Sequence, residues 1–164
     1  MISLVRVDNR LLHGQILETW IPRLRIDEVV VADDEAASSS LARAAMTLCV
    51  PPGLPVRVVA VGEVPWTELA ASSRRTLVLV REIASLSKAR ASGLSPSLAR
   101  TVNVGNVHFG PSRRPVTPSV FLAPSELEDL RDLSRAGFEL EVRAIPSEPP
   151  AGLAEIERRY GAAP

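Results

Sequence analysis

The sequence predicts an α/β fold, an open and mostly parallel sheet with helices on both faces and a histidine-bearing loop after strand one. Short apolar runs alternate with segments of helical period over most of the 164 residues, and this alternation favours a parallel sheet covered on both sides. Two of the runs, Glu28–Ala32 and Thr76–Val80, are almost continuously apolar, as strands buried on both faces are. The hydrophobic share of 46% suffices for one substantial core, so we expect residues 1–164 to form a single domain.

The elements follow one another in a regular order along the chain. The runs that predict strands are 2–7, Glu28–Ala32, 56–61, Thr76–Val80, 100–104, Val120–Leu122 and 139–145. The segments that predict helices are 11–20, 33–48, 64–71, 82–92, 124–136 and 153–160.

Several residues mark where these helices start and stop. Pro22 is expected to end the first helix, because proline disrupts a helix interior. Asp33 or Asp34 can cap the second helix. Pro124 and Gly137 bound the helix between them.

The Pro-rich segment 111–118 is predicted to be an ordered surface loop. It is not expected to be a domain boundary, because the pieces on either side are too small to fold alone.

Composition excludes several classes of protein. The 19 basic and 19 acidic residues cancel, which argues against nucleic-acid binding through phosphate neutralisation. The one cysteine, Cys49, excludes an internal disulfide, and its apolar neighbours predict a small buried side chain. The sequence shows no secretory leader and no apolar run of about 20 residues. We therefore expect a cytoplasmic protein that reaches a membrane only through a partner.

The stretch VRVDNRLLHGQ places His13 where the first strand meets the first helix. Ligands of open α/β sheets bind beyond the carboxyl ends of the strands, and the start of a helix binds anions. Gly14 lets a ligand approach the backbone, and Arg10 offers a planar fork of donors. Asp8 could hold Arg10 or orient the imidazole, and Gln15 could donate one more hydrogen bond.

These residues are the parts of a phosphorylatable histidine: a nucleophile, an anion-binding loop and an arginine. Imidazole is nucleophilic near neutral pH, and phosphoryl transfer requires mainly positioning and charge stabilisation. The sequence contains no nucleotide-binding glycine motif and no metal-ligand spacing. The alternative is that His13 caps backbone groups and that Asp8 and Arg10 form a surface ion pair of little consequence.

The stretch RVDNRLLHGQ resembles the R-[IV]-D-x-R-L-[IL]-H-G-Q signature of the enzyme IIB subunits of the mannose/sorbose-type phosphotransferase sugar-uptake system. The resemblance covers nearly the whole chain. Its supporting stretches are ADDEAA, VPPGLPVRV, VNVGNVHF and LAPSELEDLRDLSRAGFELEVRAIP.

The resemblance implies that His13 takes a phosphoryl group from a phosphohistidine on a IIA protein. His13 then passes it to a sugar that enters through the membrane components IIC and IID. Arg10 matches the family arginine that steadies the phosphate, and Asp8 matches the acid beside it, with Gly14 and Gln15 completing the phosphate site. No metal, nucleotide or other cofactor is implied, and the cytoplasmic protein would associate peripherally with the permease.

Two residues outside this stretch are further candidate contacts. Arg81 would face His13 if strand four lies beside strand one, and His108 follows strand five at the same edge. Purely local roles are the alternative for both.

The sequence departs from the family pattern at two places. Asn9 stands where Asp is frequent, which removes a negative charge near the site. Ser112 and Arg113 stand where the family often has Gly-Lys.

Two other functions are compatible with the residues. One is a regulatory phosphoacceptor in an incomplete phosphotransferase system that transports no sugar. The other is a non-catalytic binding module in which His13 is structural.

Overall fold

The computed structural model describes residues 1–48 and 50–163, so the prediction for Cys49 lies outside the described residues. The strands are β1 (Ile2–Asp8), β2 (Glu28–Ala32), β3 (Val56–Val59), β4 (Thr76–Val80), β5 (Thr101–Asn106), β6 (Arg114–Thr117), β7 (Val120–Leu122) and β8 (Glu139–Val142). The α-helices are α1 (Ile21–Leu24), α2 (Asp34–Ser38), α3 (Ser40–Leu48), α4 (Trp66–Ala71), α5 (Ala84–Ala91), α6 (Pro124–Arg135) and α7 (Leu153–Ala162). A π-helical turn (Ile16–Trp20) precedes α1, and a 3₁₀ turn (Val61–Glu63) follows β3.

Six strands form one parallel sheet in the order β3-β2-β4-β1-β5-β8. One of the two central strands is β1, which pairs with β4 on one side and β5 on the other. The carboxyl ends of these three strands therefore meet at one edge of the sheet. That edge carries Asp8, the last residue of β1, and the segments that begin with Arg81 and Val107.

Successive strand residues point to opposite sides of the sheet, and both sides carry apolar residues. Helices cover both of these faces. One core contains Val5, Val30 and Val78 and packs against α4, α5, α6 and α7. The other contains Leu4 and Leu79 and packs against the first helix, α2 and α3. The predicted fold class is confirmed.

The first helix starts later and ends later than predicted. Leu11 has a φ of 55°, so the helix begins at Gly14. It runs through the π-helical turn Ile16–Trp20 and through Pro22, because that turn already interrupts the regular α-helical hydrogen bonding that proline would otherwise break. The predicted stop at Pro22 is therefore wrong. The left-handed residue Arg25, with a φ of 51°, ends the helix instead.

The segment predicted as the second helix forms two helices, α2 and α3. Asp33 is the N-cap of α2, since its carboxylate accepts the N–H of Ala36 at 2.8 Å. Ser39 has extended backbone angles and separates α2 from α3. Its hydroxyl accepts the N–H of Ala42 at 3.1 Å and so caps α3.

The Pro-rich segment is more regular than predicted. Residues 114–117 form β6, which pairs with β7 in a two-stranded antiparallel sheet outside the main sheet. Pro115 lies in this short ribbon, where a residue without an N–H group is accommodated. The prediction of a loop is therefore wrong for these four residues, and the other elements differ from the prediction mainly in their bounds.

Candidate active site

The chain turns sharply after β1 and brings His13 back over Asp8. The N–H of Leu11 donates to the carbonyl of Asp8 at 2.9 Å. The left-handed backbone of Leu11 costs about 1–2 kcal/mol. Burial of Leu11 and Leu12 in the core that contains Leu4 and Leu79 offsets this cost, since a buried leucine contributes about 2 kcal/mol. The apolar pair therefore anchors the loop that carries His13.

His13 faces Asp8 through one ring nitrogen. Nε2 of His13 lies 3.2 Å from Oδ2 of Asp8, and the His13 side chain is 17% exposed. An ionised carboxylate only accepts hydrogen bonds, so this contact places the imidazole proton on Nε2. The lone pair is then on Nδ1, which is the nitrogen available as a nucleophile.

Asp8 is fully buried and is surrounded by donors. Burial alone raises its pKa, but hydrogen bonds from His13 and Arg6 and the charge of Arg6 together hold the pKa below its ordinary value. The N–H of Arg10 also donates to Oδ1 of Asp8 at 3.1 Å. Asp8 is therefore a carboxylate at neutral pH and the fixed anion beneath the imidazole.

Arg10, Gln15 and Gly14 lie on the solvent side of the same loop. Nη2 of Arg10 donates to Oε1 of Gln15 at 3.0 Å, and its Nε lies 3.6 Å from Oδ1 of Asp8. Gly14 is exposed and begins the helix, so its N–H group has no partner in a preceding turn. The structure thus brings together His13 and its four predicted neighbours.

The structure does not direct Arg81 at His13. As expected, β4 lies beside β1, but Nε and Nη2 of Arg81 donate to the carboxylate of Asp33 at 2.8 and 2.9 Å. Although burial alone raises the pKa of Asp33, the hydrogen bonds from Arg81 lower it overall. Among the described residues, no ion pair or hydrogen bond joins the side chain of Arg81 to His13.

His108 is joined to the site loop through its backbone. Its N–H donates to Oδ1 of Asn9 at 2.6 Å, and its carbonyl accepts from Arg113 at 2.9 Å. Asn9 also donates from Nδ2 to the carbonyl of Arg81 at 2.7 Å. The exposed His108 therefore lies beside the site loop, and Asn9 links the segments that follow β1, β4 and β5.

The sequence analysis missed one residue of the site, Arg6. Its side chain is fully buried, and Nη2 donates to Oδ2 of Asp8 at 2.9 Å. The available signal is its position, because an arginine inside an apolar strand at the centre of a sheet needs a buried partner. Asp8, two residues later on the same side of the strand, is that partner.

Within residues 1–48 and 50–163, no group of three or more His, Cys, Asp and Glu side chains is arranged to hold a metal ion. No helix in the same residues is both long enough and apolar enough to cross a bilayer.

Comparison with known sequences identifies the family. The family described as "PTS system sorbose subfamily IIB component" matches residues 2–160. The chain belongs to this family. This confirms the predicted resemblance and the prediction of a phosphotransferase-system IIB component, and it does not favour the two alternative functions.

Curated relatives agree with this assignment. The chain is 31% identical to the fructose-specific EIIB component of Bacillus subtilis, with 96% of each chain covered. It is 25% identical to the sorbose-specific EIIB component of Klebsiella pneumoniae, with 90% of each covered. It is 26% identical to the mannose-specific EIIAB component of Escherichia coli, covering 91% of this chain and 46% of that protein. The IIB chain thus spans about half the length of the mannose-specific relatives that it matches.

Solved structures share the fold of this IIB chain. The crystal structure of manxB from Thermoanaerobacter tengcongensis superposes with a TM-score of 0.86 at 26% identity, covering 98% of this chain and 96% of that one. The IIBSor domain of the sorbose permease from Klebsiella pneumoniae has a TM-score of 0.84 at 23% identity, covering 96% and 97%.

Proposed function

We propose that this IIB chain is a phosphocarrier that accepts a phosphoryl group on Nδ1 of His13 from a phosphohistidine on a IIA protein. It then transfers that group to a sugar that enters through the membrane components IIC and IID. The observation that carries the proposal is the contact of Nε2 of His13 with the buried Asp8, which leaves Nδ1 as the nucleophile.

In the first step the lone pair on Nδ1 of His13 attacks the phosphorus of the donor. A P–N bond forms to His13 while the P–N bond in the donor breaks, and its electron pair returns to the donor imidazole. The His13 ring keeps its proton on Nε2 and becomes cationic, and the carboxylate of Asp8 stabilises that charge. Arg10 stabilises the equatorial oxygens of the transferring group.

In the second step a sugar hydroxyl attacks the phosphorus and His13 leaves with its electron pair. The hydroxyl proton passes to solvent or to a base beside the sugar, and His13 returns to its starting state. Relatives at 31%, 25% and 26% identity are named for fructose, sorbose and mannose. Overall similarity therefore does not select one sugar, and the proposal is limited to a sugar as acceptor.

The test is phosphorylation of the purified protein by phosphoenolpyruvate, the general phosphotransferase proteins and a IIA protein. The site is mapped by mass spectrometry at alkaline pH. We expect an acid-labile phosphate on the peptide that contains His13, absent in His13→Gln and retained in His108→Gln. His108 is the matched control because it is the other of the two histidines in the sequence.

A folded protein that receives no phosphate at His13, from a donor that labels another IIB protein, would refute the proposal. Once the label is in place, membranes that contain IIC and IID together with a sugar distinguish transport from regulation. We expect the label to move to the sugar, whereas a regulatory phosphoacceptor would keep it.

A further inference from the structure

A buried hydrogen-bond network of Asp8, Arg6 and Asn103 lies beneath the site and connects β1 to β5. Arg6 donates from Nη2 to Asp8 and from Nη1 to Oδ1 of Asn103. Asn103 is fully buried, and its amide nitrogen donates at 3.3 Å to the carbonyls of Glu141 and Arg143. Asn103 is therefore held by the backbone at the end of β8, and it holds one side of the Arg6 guanidinium.

Gly105 leaves the space that the guanidinium occupies. A Cβ atom at Gly105 would lie 1.9 Å from Cζ of Arg6. No side chain fits there while Arg6 keeps its place, because this distance is about half of a van der Waals contact. Gly105 thus has a requirement that local backbone conformation does not explain, since its φ is not in the left-handed region.

The other sides of the guanidinium are also closed. Its Cζ lies 4.9 Å from the centre of the Trp20 ring, and Nη2 donates at 3.1 Å to the carbonyl of Ala144. Nε1 of Trp20 donates to the same carbonyl at 3.0 Å. The Arg6 guanidinium is therefore enclosed by residues from four separate parts of the chain.

That position reaches His13 through a single atom. Oδ2 of Asp8 accepts from Nη2 of Arg6 at 2.9 Å and contacts Nε2 of His13 at 3.2 Å. If Arg6 moves, Oδ2 of Asp8 loses its arginine donor, and the carboxylate is held only at Oδ1, by the N–H of Arg10. The partner of Nε2 then moves as well.

We propose that Gly105 and Asn103 are positioning residues: they hold Arg6, and through Arg6 and Asp8 they keep Nε2–H of His13 bound and Nδ1 presented. This inference rests on the proposed function of His13 as the phosphoryl carrier. The competing explanation is that both residues only stabilise the sheet.

The first measurement is the ¹H NMR signal of the His13 Nε2 proton. In the wild-type protein we expect a downfield, slowly exchanging signal that disappears in His13→Gln. We expect Gly105→Ala and Asn103→Ala to lose it. Gly161→Ala is the matched glycine control, because a Cβ atom there has no neighbour within 4 Å, and it should keep the signal.

Loss of stability alone is controlled by Leu130→Ala. Leu130 is fully buried in the apolar core on the side of α6. Its replacement therefore destabilises the protein without removing a member of the hydrogen-bond network. We expect it to keep the Nε2 signal. If it loses the signal as the two positioning variants do, or if those variants keep it while folded, the inference is overturned. Asn103→Ala adds no atoms and keeps the test available if Gly105→Ala does not fold.

The second measurement is single-turnover phosphorylation by the phosphorylated IIA protein at increasing IIA concentration. We expect the maximal rate constant to fall by about 100-fold in both positioning variants, as for a misplacement of about 1 Å at a reacting atom, with the half-saturating concentration of IIA unchanged. A rise in that concentration at a constant maximal rate would contradict a positioning role. Because the NMR signal does not depend on phosphoryl transfer, failure of the proposed function and failure of this inference are distinguishable.

Discussion

Nε2 of His13 lies 3.2 Å from Oδ2 of Asp8, five residues earlier in the chain. The first of these side chains is partly exposed and the second is fully buried. A buried anion beneath a partly exposed imidazole directs one nitrogen inward and leaves the other for chemistry. Under the proposed function, it would also stabilise the positive charge that the ring acquires when it carries a phosphoryl group.

Replacing Asp8 tests that electrostatic role. We expect Asp8→Asn to reduce the single-turnover rate of phosphoryl transfer from the IIA protein by about 100-fold, because the cationic phosphohistidine loses its counter-ion. Asp33→Asn is the matched control, since Asp33 is also buried and paired with an arginine. A rate for Asp8→Asn within about three-fold of the control would exclude this role.

Asp8 also makes stability depend on pH. Its pKa is lower in the folded protein than in the unfolded chain, so the unfolded state binds more protons between the two values. The stability that Asp8 contributes is complete above about pH 4 and is lost as pH falls through the folded pKa. Urea unfolding from pH 7 to pH 3 should show a shallower decline for Asp8→Asn than for the wild type. If the stability of the two proteins falls in parallel with pH, Asp8 does not have a lowered pKa in the folded state.

Arg10 is expected to act on the phosphate and hardly at all on the fold. Its side chain is 43% exposed and its contact with Asp8 is long, at 3.6 Å, so the pair contributes at most about 1 kcal/mol to stability. We expect Arg10→Ala to reduce transfer by about 10- to 100-fold and to leave the urea midpoint unchanged. Arg23→Ala, an exposed arginine on α1, controls for loss of charge. Equal rates for the two variants would count against a phosphate contact.

Asn9 provides a test of the departure from the family pattern. Its Nδ2 donates to the carbonyl of Arg81 at 2.7 Å, which an aspartate cannot do. We expect Asn9→Asp to destabilise the protein by about 1–2 kcal/mol, measured by urea unfolding, because a carboxylate would face that carbonyl oxygen. Asn9→Ser, which removes the amide without adding charge, separates the lost bond from the repulsion. If Asn9→Asp is as stable as the wild type, the segments that follow β1, β4 and β5 are held together by other contacts.

Burial of the central strands predicts where the fold is sensitive. Leu79 is fully buried in β4, whereas Leu41 on α3 is 79% exposed. We expect Leu79→Ala to lower the free energy of unfolding by about 2–5 kcal/mol and Leu41→Ala to change it by less than about 0.5 kcal/mol. Urea titration monitored by circular dichroism measures both. Similar losses would contradict the assignment of the core.

Sequence reasoning correctly predicted the features that depend on local pattern. The apolar runs Glu28–Ala32 and Thr76–Val80 are buried strands with the predicted bounds, because continuous apolar runs have no solvent-facing side. The loop with His13 lies at the carboxyl edge of a central strand, as the order of elements implied. The predicted end of the first helix was wrong because a π-helical turn directly precedes Pro22 and the helix continues through it.

By itself, the sequence determined the fold class and the group of residues around His13, because hydrophobic periodicity and the spacing of nearby residues are local features of a sequence. Only the tertiary structure decided which partners the charged side chains take. It joins Arg81 to Asp33 across 48 positions and Arg6 to Asn103 across 97. These pairs depend on the order β2-β4-β1-β5 in the sheet. Strand order is set by packing over the whole chain, and no local pattern in the sequence encodes it.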